Sequence, residues 1–183
     1  IYNSDPMIDQ QILDENGLTR DDFKMKIGES SATVGMGAYN MELPLDGHTK
    51  LYSFGDTSYR RGLSAGFNRF PKDESQNVPE FYPNGFLPEI ATRISDAALT
   101  VGIRHKGAWD VDVSLTHGRN SMQFDVENSV NASLGTLSPT TFNAGELQFQ
   151  QTVGNLDLIH KLDVPQLKSL SLVLGSEFRV ENY

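Results

Sequence analysis

One pentapeptide of the chain has the spacing of a hydrolase nucleophile. Gly62-Leu63-Ser64-Ala65-Gly66 matches G-x-S-x-G, in which a strained turn exposes a serine for attack on an ester. That turn needs a strand before the serine, a helix after it, and an acid and a histidine further along the chain. Phe67-Asn68-Arg69-Phe70-Pro71 follows instead, which has a strand-like pattern that proline then breaks. We therefore predict no catalytic residue and no enzyme activity.

Metal binding would have to use carboxylates and histidines, because the chain has no cysteine. Asp110 and Asp112 lie two residues apart, which places both on one face of a strand. They could hold a cation together, but a hydrated polar wall explains the pair at least as well. The histidines lack the local spacing of zinc sites, so we expect them at interfacial or solvent-facing positions and predict no metal and no cofactor. These histidines are His48, His105, His117 and His160.

Composition excludes two broad classes of protein. The chain of 183 residues has 15 basic and 24 acidic residues and a formal charge of -9. Nucleic-acid binding relies on clustered Lys and Arg, so this balance argues against a nucleic-acid partner. The most apolar stretch, Leu170 to Leu174, is far shorter than the roughly 18 residues that a membrane helix needs.

Apolar residues instead recur with a period of two. Trp109 to Thr116 alternates strictly between apolar and polar residues, which is typical of a strand with one wet face. The segment from Leu147 to Leu158 changes parity along its length, which predicts a β-bulge near Gly154. We expect nine aliphatic residues to share one face of one sheet: Leu99, Val101, Ile103, Val111, Val113, Leu115, Leu170, Leu172 and Leu174.

Short and long connections separate the predicted strands in alternation. The long ones run from Phe70 to Asp96 and from Glu127 to Glu146, and the short ones lie near Asp46, Lys106 and Gln166. This order predicts an all-β, antiparallel, up-and-down meander of about six strands. Earlier strands are expected at Thr33 to Leu43 and Thr49 to Arg60, and a short helix capped by Ser4 and ended by Gly17. Several arginines lie within strands, which fits a water-filled lumen better than a dry core.

Five stretches, taken in order, resemble the barrel region of TonB-dependent outer-membrane receptors. The likeness covers the chain from about Phe23 onward. The stretches are Lys50 to Arg69, Phe81 to Ile90, Gly107 to Asp110, Val126 to Gly135 and Leu174 to Tyr183.

The resemblance implies a transmembrane β-barrel of about 22 strands, filled by an N-terminal plug that the energising partner TonB contacts. About six strands and no plug are recognisable here, whereas single-chain barrels have at least about eight strands. We therefore expect residues 1–183 to be a single segment of such a barrel, a fragment without the plug domain. Trp109 would mark the periplasmic rim.

The resemblance also implies uptake of a scarce, bulky nutrient, such as a siderophore, cobalamin or a glycan, across the outer membrane. The partners would be that nutrient, outer-membrane lipid, and TonB through the missing plug. The long connection from Phe70 to Asp96 is expected to face the cell exterior and to contact ligand through Phe81, Tyr82 and Phe86. Packing of this loop on itself is the other interpretation of these aromatic residues.

A soluble β-sandwich that binds carbohydrate through the same three aromatic residues is the alternative. The two architectures differ in the use of the aliphatic rows: a sandwich buries them against a second sheet, whereas a barrel faces them to lipid.

Overall fold

The computed structural model describes residues 6–23, 26, 28, 30–73, 75–168 and 170–183. The predicted helix is present as α1, whereas Ser4, its expected cap, lies outside the described residues. No helix in the described part of the chain is both long and apolar enough to cross a membrane. The elements are α1 (Pro6–Asn16), a 3₁₀ turn (Arg20–Phe23), β1 (Ser31–Pro44), β2 (Thr49–Ala65), β3 (Glu89–His105), β4 (Trp109–Glu127), a 3₁₀ segment (Ala132–Leu137), β5 (Phe142–Leu162) and β6 (Leu170–Asn182).

The six strands form one antiparallel sheet in which each strand pairs with the next one along the chain. The strand order is β1-β2-β3-β4-β5-β6, so β1 and β6 are its two edges. The all-β meander that the alternation predicts is therefore confirmed.

Contacts between neighbouring strands assign the faces of this sheet. The Thr100 and Thr116 hydroxyl oxygens lie 2.9 Å apart, so their odd-numbered neighbours on β3 and β4 share the other face. The His160 ring stacks on Trp109 with centroids 4.6 Å apart, and His160 pairs with Leu172 of β6. All nine predicted aliphatic residues therefore lie on one face, as expected. We call it the apolar face and its opposite the polar face.

The prediction of a β-bulge near Gly154 is wrong for the pairing of β5 with β6. This ladder runs without interruption from Gln150 opposite Asn182 to Leu162 opposite Leu170, and Gly154 pairs with Phe178 within it. The parity change therefore has another cause: the apolar residues upstream of Gly154 lie on the polar face. Phe149 is one of them, and its ring contacts Tyr183 with centroids 5.1 Å apart.

The long connections are shorter than the sequence pattern predicts. The first is confined to residues 66–88, because β2 continues to Ala65 and β3 begins at Glu89. The second covers residues 128–141 and includes the Ala132–Leu137 segment. The predicted boundary at Asp96 is wrong because residues 89–98 pair with β2 without a regular apolar alternation. Backbone pairing, and not side-chain pattern, defines this end of β3.

The chain divides into two compact units. The first comprises Ile1–Thr33, Arg61–Thr92 and Gln123–Gly145. It contains both long connections and the helical segment before β1. The Phe23 and Phe70 rings contact each other with centroids 5.3 Å apart. The buried apolar side chains described in this unit include Leu13, Phe23, Val78, Phe86 and Ala91.

The second unit comprises Val34–Arg60, Arg93–Met122 and Glu146–Tyr183. It contains the three short turns and most of the apolar face. Among the described residues of this unit, Val153 alone is a buried apolar side chain, whereas Leu115 is 56% exposed. The second unit therefore forms no dry core around its aliphatic rows.

Candidate functional site

The loop of residues 66–88 carries the three aromatic residues predicted to contact ligand, in three different environments. Phe86 is only 8% exposed, whereas Phe81 is 40% exposed. Tyr82 is half-buried and packs on Phe86, with ring centroids 4.3 Å apart. Burial raises the pKa of the Tyr82 phenol, which keeps the hydroxyl neutral.

Polar contacts link distant residues of this loop to one another. The buried Asn77 side chain donates to the carbonyl oxygens of Pro71 and Tyr82, both at 3.0 Å. Arg69 and Phe86 form an isolated antiparallel bridge with reciprocal N–H···O bonds of 2.7 and 3.0 Å. Gly85 has a φ of +72°, and its backbone approaches the Arg69 carbonyl so closely that a Cβ would clash with it. The loop therefore packs on itself.

Because of this packing, the three predicted site residues differ in how much of each ring a ligand could reach. Phe81 presents its ring to solvent, and Tyr82 exposes part of its ring. Phe86 supports Tyr82 from inside the loop. The ligand contact remains a prediction for this loop, with Phe81 as the residue whose exposure suits it best. The burial of Phe86 agrees with the interpretation that the loop packs on itself. The sequence around Phe86 could not distinguish this packing from ligand contact.

Ser64 lies in β2 and is exposed. The strand ends one residue later at Ala65, and the described chain then runs through non-helical residues to the bridge at Arg69. The strand–turn–helix geometry that exposes a hydrolase nucleophile is thus not formed around Ser64. The absence of enzyme activity stays a prediction.

Asp112, which sequence spacing paired with Asp110, is engaged by two side chains on the polar face. Its Oδ1 accepts from the Tyr52 hydroxyl at 2.6 Å. Its Oδ2 accepts from Arg104 Nε at 2.7 Å and lies 2.6 Å from Nη2. The described residues contain no group of three or more ligating side chains able to hold a metal ion. Asp112 therefore acts as the acceptor of a hydrogen-bonded ion pair in this structure.

The Tyr52 side chain of this network also covers Gly102 on β3. The Arg104 guanidinium carbon lies 5.1 Å from the centroid of the Tyr52 ring, and that ring lies directly over Gly102. Tyr52 is therefore held by a hydrogen bond at its tip and a cation–π contact on its ring. Sequence reasoning missed this cluster because Tyr52 and Asp112 are 60 residues apart. The strand register is the only signal that brings them together.

The histidines lie on the apolar face or at its rim. His160 stacks on Trp109 and its Nδ1 lies 2.5 Å from the Ala108 carbonyl oxygen. His105 Nδ1 lies 2.9 Å from Thr49 Oγ1 on β2. His117 Nδ1 lies 2.9 Å from Thr152 Oγ1 on β5. His48, His105 and His117 are exposed, which agrees with the expected solvent-facing positions, whereas an interfacial placement stays a prediction.

A comparison with protein families finds no matching family, and comparisons with curated proteins and with solved structures find no match either.

Proposed function

We propose that this chain is a segment of the β-barrel wall of a TonB-dependent outer-membrane receptor that takes up a scarce, bulky nutrient. The observation that carries the proposal is the exposed apolar face of the second unit, which lies back to back with a hydrogen-bonded polar face. Apolar rows on one side and charged side chains on the other are the pattern of a strand between lipid and an aqueous lumen.

The cost of leaving this face in water supports a lipid environment. Each Å² of apolar surface removed from water contributes roughly 25 cal/mol. Leu99, Val101 and Ile103 on β3 are each at least 40% exposed, as are Val113 and Leu115 on β4. Lipid would cover these side chains without a second layer of protein.

The apolar rows also end where a membrane band would end. Towards the short turns they finish at Trp109 and His160, and Trp is enriched at membrane–water interfaces. In the other direction the same face becomes polar, with Ser95 hydrogen-bonded to Ser121 at 2.8 Å and Arg119 to Gln148 at 2.9 Å. The periplasmic rim would then lie at Trp109 and the short turns, and the cell exterior at the long connections.

The edges of the sheet are consistent with additional strands in the complete receptor. Every described residue of β1 and β6 is exposed. Unpaired backbone groups are not tolerated within a bilayer, and six strands are fewer than the roughly eight of the smallest barrels. We propose that neighbouring strands of the parent protein pair with β1 and β6. The sequence resemblance supplies the rest: a plug through which TonB acts, and external loops that capture the nutrient.

The alternative is a soluble β-sandwich that binds carbohydrate through Phe81, Tyr82 and Phe86. It requires a second sheet packed on the apolar rows. The six strands of the described residues form a single sheet, and Phe86 is buried within its loop, so neither feature favours this alternative.

The test uses the absence of cysteine from this chain. Leu115→Cys on the apolar face and the adjacent Ser114→Cys on the polar face are each spin-labelled in the complete receptor in lipid vesicles, after any cysteine outside these 183 residues has been replaced. We expect the label at Leu115 to collide preferentially with oxygen, which partitions into lipid. The label at Ser114 should collide preferentially with a water-soluble nickel chelate. A label at Leu115 that neither reagent reaches would indicate a sandwich core and contradict the proposal.

A further inference from the structure

The polar face of the second unit carries an open groove of about 380 Å³. Its floor is a pair of small residues, Ala98 on β3 and Gly118 on β4. They lie opposite each other because contacts bracket them on both sides: Asp96 with Asn120, and Thr100 with Thr116. The depression exists because both central strands carry almost no side chain at this level.

The two sides of the groove differ in chemistry. On the β5 side lie Phe149 and Val153, with Gln151 between them. The Phe149 ring is supported by Tyr183. On the other side lie two carboxylates, Asp56 and Asp96.

Asn120 is already oriented within this groove. Its Nδ2 donates to Asp96 Oδ1, and Asp96 Oδ2 lies 3.4 Å from the hydroxyl oxygen of Ser58. One N–H of the Asn120 amide is used by Asp96, which leaves the second N–H as a donor and the carbonyl oxygen as an acceptor. Gln151 adds a second amide, which both donates and accepts.

We infer that this groove is a contact subsite for a neutral saccharide; the inference rests on the proposed function and names the ligand class of the receptor. A sugar ring has an apolar C–H face, which packs on an aromatic ring such as Phe149, and an edge of hydroxyl groups. Carboxylate and amide side chains both accept from hydroxyls, and Gln151 can also donate to them. Arg119 also lines the groove, but its guanidinium donates to Gln148 at 2.9 Å. Asp56 and Asp96 therefore outnumber it and disfavour an anionic ligand such as a phosphate or a carboxylate chelate.

The position of the groove suits a hydrophilic ligand. The groove begins where the apolar rows end, because Ala98 of its floor adjoins Leu99. Past Leu99 the other face of the sheet carries the Ser95–Ser121 and Arg119–Gln148 pairs. The groove therefore lies at the end of the apolar rows that is nearer to the long connections. In the proposed receptor this part of the lumen is open to water from the cell exterior.

The experiment is calorimetric titration of the intact protein in lauryldimethylamine oxide, a detergent without a sugar headgroup. The probes are maltohexaose, cellohexaose and xylohexaose, with spermidine as a cation and citrate as an anion. Phe149→Ala and Gln151→Ala remove one contact each. Phe149→Tyr keeps the stacking surface, and Gln150→Ala changes the intervening residue, which faces the other side of β5.

We expect at least one hexasaccharide to bind, with affinity at least fivefold weaker in Phe149→Ala and Gln151→Ala. Phe149→Tyr and Gln150→Ala should bind as the unmodified protein does. Equal saccharide affinity in all variants would show that the saccharide binds outside this groove and would overturn the inference. Binding of spermidine or citrate alone, or of no probe, would overturn the saccharide assignment. The spin-label accessibilities at Leu115 and Ser114 are measured separately in lipid vesicles, so a failed saccharide assignment is distinguished from a failed receptor proposal.

Discussion

The aromatic ring of Tyr52 on β2 occupies the space that a side chain at position 102 of β3 would need. An ideal Cβ built on Gly102 would fall well inside van der Waals contact with Tyr52 Cζ. The Tyr52 hydroxyl is in turn held 2.6 Å from Asp112 Oδ1 on β4. Three strands are thus linked through one aromatic side chain, as in the covering of strand glycines by cross-strand aromatic residues.

Gly102→Ala should therefore destabilise the sheet by about 1–3 kcal/mol, because the methyl group forces Tyr52 away from Asp112. Gly154→Ala is the matched control, since a Cβ at that strand glycine meets nothing within 4 Å. The control should change stability by less than about 0.5 kcal/mol. Urea unfolding of the intact protein, followed by intrinsic fluorescence, measures both variants. Equal losses of unfolding free energy in the two variants would show that the Tyr52 side chain moves aside without cost.

The hydrogen bond from Tyr52 to Asp112 should be measurable as a coupling energy. A double-mutant cycle with Tyr52→Phe and Asp112→Ala is expected to give about 1 kcal/mol. The comparison pair is Glu42 and Lys50, whose ion pair of 2.7 Å lies at the exposed edge strand. Its cycle should give no more than about 0.5 kcal/mol. A coupling at Tyr52 no larger than that of the edge pair would contradict the network described for the polar face.

The turn between β1 and β2 should lose stability in acid through Asp46. Its Oδ1 accepts from the backbone N–H groups of His48 and Thr49, both at 2.7 Å, and these bonds lower the pKa of Asp46 below its ordinary value of 3.8. A lowered pKa in the folded state means that the contribution is complete above pH 3.8. It is lost as the pH falls through the folded-state pKa.

Asp46→Asn keeps an acceptor oxygen but no longer titrates. Amide hydrogen exchange of His48 and Thr49, followed between pH 2.5 and 5, should accelerate towards acid in the unmodified protein after correction for intrinsic exchange. In Asp46→Asn the corrected rates should stay level. Parallel pH profiles for the two proteins would show that Asp46 does not hold this turn.

Phe86 and Phe81 should behave differently when each is replaced by alanine. Phe86→Ala removes a buried ring that supports Tyr82, so amide exchange across residues 66–88 should accelerate at least tenfold. Phe81→Ala should leave that exchange within twofold of the unmodified protein, because its ring is exposed. If the loop captures ligand, Phe81→Ala slows uptake by the proposed receptor even though the loop stays folded. Normal uptake in both variants would reduce the loop to a structural cover.

Ser64→Ala should leave turnover of a chromogenic ester at background, since β2 is not followed by the helix of a nucleophile elbow. A purified protein that hydrolyses the ester and loses this activity on the replacement would establish an enzyme instead.

The sequence by itself determined the order in which the strands pair and the face on which the aliphatic rows of β3, β4 and β6 lie. A period of two is imposed by the pleat of a strand, so Leu99 to Ile103, Trp109 to Leu115 and Leu170 to Leu174 already specified the apolar face. The order of short and long connections then specified the meander. These are local properties of the chain, and the structure reproduces them.

The tertiary structure decided what depends on register and on contacts between distant residues. The ends of β2 and β3 lie beyond any alternating pattern, because backbone hydrogen bonds continue after the apolar side chains stop. The uninterrupted β5–β6 ladder shows that a change of parity need not mean a bulge. Neither the link from Tyr52 to Asp112 nor the burial of Phe86 could be read from the sequence, since each depends on which distant residue becomes a neighbour. Strand alternation assigns a residue to a face, whereas only the register assigns its partner.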